Sequence, residues 1–300
     1  MEKGSIEHLK FSDPILVSVV VPHYSGSRDE NLRGLIEDLR GQSLQEMELI
    51  IVNGVSPQGR AINQGVRRTV GEILVIIDDD SRLGDSHVIE NLVAVIQSDA
   101  SVGMVGASIV SSERENNFQR LAAKQFPRFN MPVVKEVTES DLPGHPCVAF
   151  PKEVFMKVGM EREDILRGLD PDLRVRIRKA GCRVVLAPET WAHHPLPPSL
   201  PKFIRTFLRN GYGSAYLQVV HPEINYDTEE AADSKSFDAK HSFFYRASRY
   251  PLRLLASLVT FQWIRLLGYT VYLLGYLGGY LRFAILKSSA KTEIEKCSVS

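Results

Sequence analysis

Apolar residues follow two alternating rhythms over the first two thirds of the chain. Ile15 to Val21 is an apolar, largely β-branched run broken only by Ser18 and stopped by Pro22. Such a run predicts a strand buried on both faces. Leu32, Leu35, Ile36 and Leu39 then recur at helical spacing. The alternation continues with a strand at Leu49 to Val52, a helix over 61–70 and a strand at Ile73 to Ile77, halted by Asp78-Asp79-Asp80. A helix over 88–96 and a strand over 104–110 follow. Strands and helices joined by short connections predict a doubly wound, mainly parallel α/β sheet flanked by helices. Ligands of such sheets bind beyond the carboxyl ends of the strands. The residues just after each strand are therefore the first candidates for chemistry.

The rhythm lapses over 111–141, which is polar and predicts a long loop or an excursion over the site. It returns with a strand at Cys147 to Phe150, a helix over 152–157, and a helix opened by Asp170-Pro171-Asp172 and stopped by Gly181. A strand over 183–187 closes the series. Beyond the proline-rich stretch 195–201 the character changes. Residues 202–220 predict an amphipathic helix, 223–240 a polar linker, and 250–286 is strongly apolar with arginines at intervals. The expected organisation is an α/β domain over 1–200 and a helical, membrane-associated region over 201–300.

Composition narrows the class. Of the 300 residues, 44% are hydrophobic and 24% charged, the proportions of a folded protein. A formal net charge of zero argues against a nucleic-acid partner. Cys147, Cys182 and Cys297 are far apart and form no CxxC pair, so neither a zinc site nor a disulfide framework is expected. Met1 to Ser5 lead into polar sequence without an apolar signal region, so the chain is expected to start in the cytosol.

The acid triplet at a strand end is the first chemical signal. Packed carboxylates repel, and a hard divalent cation shared with a diphosphate offsets that charge. Taken alone, the triplet reads equally as a turn with helix-capping acids.

The order of the surrounding segments goes further. Pro22-His23-Tyr24 follows a strand, Gly59 to Gly65 carries Arg60 and Asn63, and Asp78-Asp79-Asp80 ends the next strand. Gly168 to Gly181 then contains Asp170, and Ala187-Pro188-Glu189 precedes His193-His194. From Val17 to Pro222 this series resembles the family 2 glycosyltransferases. The resemblance implies a GT-A fold and inverting transfer from a nucleotide sugar, with Mg²⁺ or Mn²⁺ as cofactor. It implies donor contacts from Pro22, His23, Tyr24, Asn53, Arg60, Asn63, Asp78 and Asp79. Asp80 would bind the metal, with His194 or its neighbour His193 reaching the metal or diphosphate. Asp170 would be the general base. Three features depart from the family pattern. Asn53-Gly54 stands where the family has two aspartates and a glycine, Leu169 replaces the acid before the base, and an expected arginine is missing, for which Arg60 is a substitute. Asn53 can both accept and donate hydrogen bonds, which leaves a uridine- or guanosine-linked donor open. Tyr24 is equally a packing residue, His23 taken alone reads as structural or exposed rather than chemical, and Arg174, Arg176 and Arg178 read as a solvated helix face.

In the tail, Lys202, Arg205 and Arg209 share one helical face and suit phosphate or lipid headgroups; an ordinary docked helix explains them equally. Leu266 to Leu281 lacks charge but falls short of the ~20 residues of a spanning helix. Tyr269, Tyr272, Tyr276 and Tyr280 suit an interface, and Gly275 and Gly279 allow close helix contact. Peripheral or re-entrant helices on the cytoplasmic face of the cell membrane are expected, with a soluble packing helix as the alternative. The acceptor expected on this reading is a glycan or a polyprenyl-linked precursor of the cell envelope. Two rivals remain at this level, a nucleotidyltransferase on a related sheet and a non-catalytic nucleotide-sugar-binding relative.

Overall fold

The structure, a computed structural model, describes residues 4–24, 28–112, 115–126, 130–165, 167–222 and 243–297. The polar linker expected over 223–240 lies outside them. The chain divides into two compact units. The first takes the described residues of 1–115 and 127–195, the second those of 116–126, 196–227 and 239–300.

The first unit is built on one nine-stranded sheet. In chain order its elements begin with β1 (Ser5–Lys10), β2 (Val17–His23), α1 (Asp29–Arg40), β3 (Met47–Asn53) and α2 (Gln58–Val66). Then come β4 (Ile73–Ile76), β5 (Arg82–Leu83), α3 (Val88–Ser98) and β6 (Val102–Ile109). After α4 (Asn117–Gln125), which belongs to the second unit, follow β7 (Thr138–Glu139), β8 (Val148–Pro151), α5 (Lys152–Lys157), α6 (Leu169–Lys179) and β9 (Arg183–His193). The strand order is β1-β3-β2-β4-β8-β6-β9-β5, with β7 also on β9. Val19, Val21, Leu49 and Ile51 face a core shared with Leu35 and Leu39 of α1 and Leu92 of α3. Val20, Leu74, Ile76 and Phe150 face the other, with Ile62 of α2, Phe155 of α5 and Ile177 of α6. Helices on both faces explain why the strands read as unbroken apolar runs.

The sheet is mixed, not mainly parallel. β2 runs parallel to β3 and β4, and β6 to β9, but β8 is antiparallel to both β4 and β6. The reason is where the chain goes after β6. It makes its excursion at the carboxyl end of that strand and re-enters from the same end, with no crossover helix to carry it back. β1 is a second departure. It pairs antiparallel with β3 and is exposed throughout, a charged edge strand with little apolar signal. One polar anchor ties it inward. The buried Glu48 accepts hydrogen bonds from Ser18 Oγ (2.6 Å), the Val70 amide (2.7 Å) and His8 Nε2 of β1 (2.6 Å).

The excursion also holds structure the hydrophobic pattern concealed. α4 opens on a reciprocal cap, in which Asn116 Oδ1 accepts from the Gln119 amide and Gln119 Oε1 from the Asn116 amide, both at 3.0 Å. The remaining elements of the second unit are α7 (Leu200–Val220), α8 (Phe243–Val259) and α9 (Trp263–Cys297). Phe126 and Phe203 pack with Phe207, whose ring centroid lies 4.2 Å from that of Phe203. α7 and α9 meet through glycines. A side chain at Gly211 would strike the Tyr272 backbone, and one at Gly275 the Leu208 carbonyl. The close contact expected of Gly275 and Gly279 is present, with α7 as the partner. Among the described residues no helix is long and apolar enough to cross a membrane.

Candidate active site

Ile73 to Ile77 are buried, so the first residue at the sheet's end able to carry charge is Asp78. The Asp78 amide donates to the His145 carbonyl at 2.9 Å, and the Ser81 amide closes a turn on the Asp78 carbonyl. This turn fans the three acids apart. Asp79 points inward, where its oxygens accept from His23 Nδ1 (2.8 Å) and Arg28 Nη1 (2.6 Å). Asp78 accepts from Gln58 Nε2 at 2.7 Å. Asp80 lies 3.3 Å from both Arg28 Nη2 and His194 Nε2.

His194 arrives from the end of β9. That strand was expected over 183–187 but runs on to His193. An irregularity around Pro188 and Glu189, whose φ is +48°, skips residues before Trp191 pairs with Ser108 of β6. The two histidines then part. His193 Nδ1 donates to the Val110 carbonyl at 2.9 Å, whereas His194 Nε2 faces Asp78 and Asp80.

One ligand atom from each of Asp78, Asp80 and His194 lies within 4.8 Å of the others. Burial pushes the Asp78 carboxyl up to about 6, reinforced by Asp80 and opposed by His194. Burial also works against an ionised Asp80, but the His194 and Arg28 charges prevail and hold it at about 2. For His194, burial is outweighed by the two carboxylates, which raise it to about 9. The buried carboxylate oxygen Asp80 Oδ1 faces His194 Nε2 at 3.3 Å and, among the described residues, is not otherwise hydrogen-bonded. Two carboxylates and an imidazole converging on such a point fit a hard divalent cation such as Mn²⁺ or Mg²⁺.

Asp170 sits in the first turn of α6 but does not cap it; the cap is Gly168, at φ +88°. Asp170 Oδ1 accepts from the His145 amide at 2.9 Å and lies 3.1 Å from His145 Nδ1. Gly144 permits this approach, since a Cβ there would meet Asp170 Oδ1 at 3.0 Å. The neighbouring Asp172 is buried, with Arg176 Nε at 2.8 Å.

A model of glycosyltransferase like family 2 matches residues 15–213. The chain belongs to this family. No curated protein matches it. Among solved structures it is similar to a mannosyltransferase from Pyrobaculum calidifontis in complex with GDP-Man and Mn²⁺. The identity is 16%, the TM-score 0.57, and 88% of this chain and 86% of that one are covered. It is also similar to S. aureus TarS 1–349 in complex with UDP-GlcNAc, at 11% identity and TM-score 0.46, covering 88% of this chain and 92% of that one.

In this glycosyltransferase the remaining expected site residues are placed as follows. Pro22, His23 and Tyr24 stand at the end of β2, with Tyr24 exposed. Asn53 ends β3 and donates to Glu7 Oε1 at 2.9 Å. Arg60 lies 3.6 Å from Glu163. The amide of Asn63 is engaged by the 161–163 segment, donating to the Glu161 carbonyl (2.8 Å) and to Glu163 Oε1 (3.0 Å) and accepting from the Glu161 amide (3.0 Å). Lys202, Arg205 and Arg209 are exposed on α7, in the second unit. The arginines of α6 are not a solvated face. Arg174 is buried and bonds Asp141 and the Pro143 carbonyl, and Arg178 reaches the Ser140 carbonyl.

Four residues at the site were not singled out from sequence: Arg28, Gln58, His145 and Glu161. His145 precedes β8. In an all-parallel sheet the residues before a strand lie at the wrong end for ligands; the antiparallel β8 brings them to the right one.

Proposed function

We propose that this glycosyltransferase is a metal-dependent inverting enzyme. It moves a sugar from a GDP- or UDP-linked donor to a hydroxyl of a glycan or polyprenyl-linked acceptor of the cell envelope. The observation that carries this reading is a shared scaffold. His145 accepts from the Asp78 amide through its carbonyl and donates to Asp170 through its own amide, each at 2.9 Å. One residue thus sets a candidate cation site and a carboxylate beside each other. The donors bound by the Pyrobaculum mannosyltransferase and by TarS suggest the two nucleotides to try first.

A divalent cation bound by Asp78, Asp80 and His194 would supply charge to the departing diphosphate. Asp170 takes the proton from the acceptor hydroxyl as that oxygen attacks the anomeric carbon. Its side chain remains about a third exposed, open to an acceptor. Gln58 orients Asp78, and Asn53 offers both a donor and an acceptor to a nucleobase.

The acceptor reading draws support from the second unit. Leu252, Leu255, Leu258 and Val259 of α8, with Phe261 and Trp263 after it, are exposed. No Asp or Glu occurs between Asp238 and Glu293, whereas Arg249, Arg253, Arg265 and Arg282 do. An exposed apolar face among arginines suits the headgroup region of an anionic bilayer. Full-length protein should therefore co-sediment with phosphatidylglycerol vesicles, and a Leu255→Glu, Leu258→Glu variant should stay in solution. Equal sedimentation of both would remove the membrane from this reading.

The donor is tested by thermal shift with GDP-mannose and UDP-GlcNAc, with and without Mn²⁺. A ligand that binds only the native state raises its apparent stability. A metal-dependent rise with either, accompanied by release of nucleoside diphosphate, is expected. No shift and no release with any nucleotide sugar would overturn the proposal.

A further inference from the structure

We propose that His145 is the positioning residue for the base, fixing the Asp170 carboxylate in its proton-accepting orientation through two donors of one residue. The inference rests on the reading of Asp170 as the base. The His145 ring is 3% exposed and stands between two carboxylates. Nδ1 lies 3.1 Å from Asp170 Oδ1, and Nε2 lies 2.8 Å from Glu161 Oε1. Ionised carboxylate oxygens only accept, and a neutral imidazole has a single N–H. Both contacts are satisfied together only when both ring nitrogens carry protons. The backbone amide of the same residue adds a second bond to Oδ1, at 2.9 Å.

His145 is itself held from three sides. Glu161 is buried, and its backbone is clamped in both directions by the Asn63 amide of α2. Arg174 of α6 pins the approach to His145 by bonding Asp141 and the Pro143 carbonyl. Pro143 in turn rests on Gly106 of β6, where a Cβ would meet its Cα at 2.8 Å. The Asp170 carboxylate is thereby referred to α2, α6 and the sheet at once. A displacement of about 1 Å at a reacting group can cost ~10²-fold in rate.

Two substitutions separate orientation from bulk stability. His145→Asn places an amide N–H near the position of Nδ1 and keeps the donor to Asp170. His145→Gln places it near Nε2 and keeps the donor to Glu161. Both remove the same ring and the same charge. The readout is nucleoside diphosphate release from GDP-mannose and UDP-GlcNAc in Mn²⁺. His145→Gln should lose ~10–100-fold in kcat with donor KM within about twofold of the parent, and His145→Asn should recover most of that loss. In an Asp170→Asn background, His145→Gln should cost nothing further. Equal kcat losses in the two variants, or a normal kcat in His145→Gln, would overturn the positioning role. The same pair made in a Glu161→Gln background carries the comparison if loss of the ring's charge prevents folding. Asp170→Asn alone reports on the underlying reading. If it transfers sugar at the parent rate, the base assignment fails and this inference with it. If it falls ~10²–10⁴-fold while His145→Gln stays active, only the positioning role fails.

Discussion

His23 and Asp79 face each other across a 2.8 Å hydrogen bond between Nδ1 and Oδ2, both almost wholly buried. With Arg28 on its other oxygen, Asp79 is bound to the protein at both ends. The middle acid of the triplet therefore acts on the fold before it can act on a nucleotide. Breaking a buried pair by removing one partner costs about 3–5 kcal/mol. Asp79→Ala should lose stability at the lower end of that range in urea unfolding. By calorimetry its Mn²⁺ affinity should change far less than that of Asp80→Ala. A larger metal defect in Asp79→Ala than in Asp80→Ala would reverse the roles given to these neighbours.

Asp80 and His194 are expected to act as ligands. Asp80→Ala and His194→Ala should each weaken Mn²⁺ binding by more than the ~10–100-fold typical of an outer-shell partner. His193→Ala, whose ring is bonded to the Val110 carbonyl, should bind Mn²⁺ as the parent does. Titration followed by the electron paramagnetic resonance of free Mn²⁺ gives all three affinities.

The helix pair of the second unit makes a sharper packing prediction. A Cβ at Gly275 would collide with the Leu208 carbonyl, whereas one at Gly278 would meet nothing within 4 Å. Gly275→Ala should cost about 1–3 kcal/mol, as overpacking does. Gly278→Ala should be neutral or gain up to about 1 kcal/mol from helix propensity. The difference between the two in thermal unfolding is the test, since both make the same chemical change on one helix.

The pH dependence of stability should carry the mark of Glu48. Burial favours its neutral form, but bonds from Ser18, the Val70 amide and His8 outweigh it and hold the carboxyl below its ordinary 4.5. A depressed carboxylate stabilises the native state above its unfolded pKa. That contribution is lost as pH falls through the lowered native value. The urea midpoint of the parent should therefore drop as pH falls below about 4.5, and Glu48→Gln should show a shallower drop. Parallel curves would mean that another carboxylate governs the acid limb.

Much of this was legible because burial on two faces leaves a plain mark. The strands around Val19, Leu49 and Val75 and the helix carrying Leu35 and Leu39 announced themselves. So did the acids that end β4. What escaped had no such mark. β1 buries nothing, so Ile6 and Leu9 had no regular partner positions to reveal it. α4 has its signal in the Asn116 and Gln119 cap, in a segment whose polarity suggested a loop. Strand direction is the larger lesson. Val148 to Pro151 look alike read either way, and an apolar run carries no arrow. This hid His145, because the residues before a parallel strand lie at the far end of the sheet, whereas β8 is antiparallel to both its neighbours. Arg174 was misread for a related reason. Arginine is usually solvated, and only tertiary structure brings Asp141 and the Pro143 carbonyl to it.

The placement of β8 also bears on how the protein comes into being. Its neighbours, β4 and β6, are both made before it, and the other partner of β6, β9, is made later still. A chain emerging from synthesis that has not yet reached Val148 therefore presents β4 with one open edge and β6 with two. Open edges are templates for pairing with other chains, and such long-range closure is slow. The nascent enzyme is most prone to association in the interval before a four-residue strand, whose approach carries His145, seals the middle of its sheet.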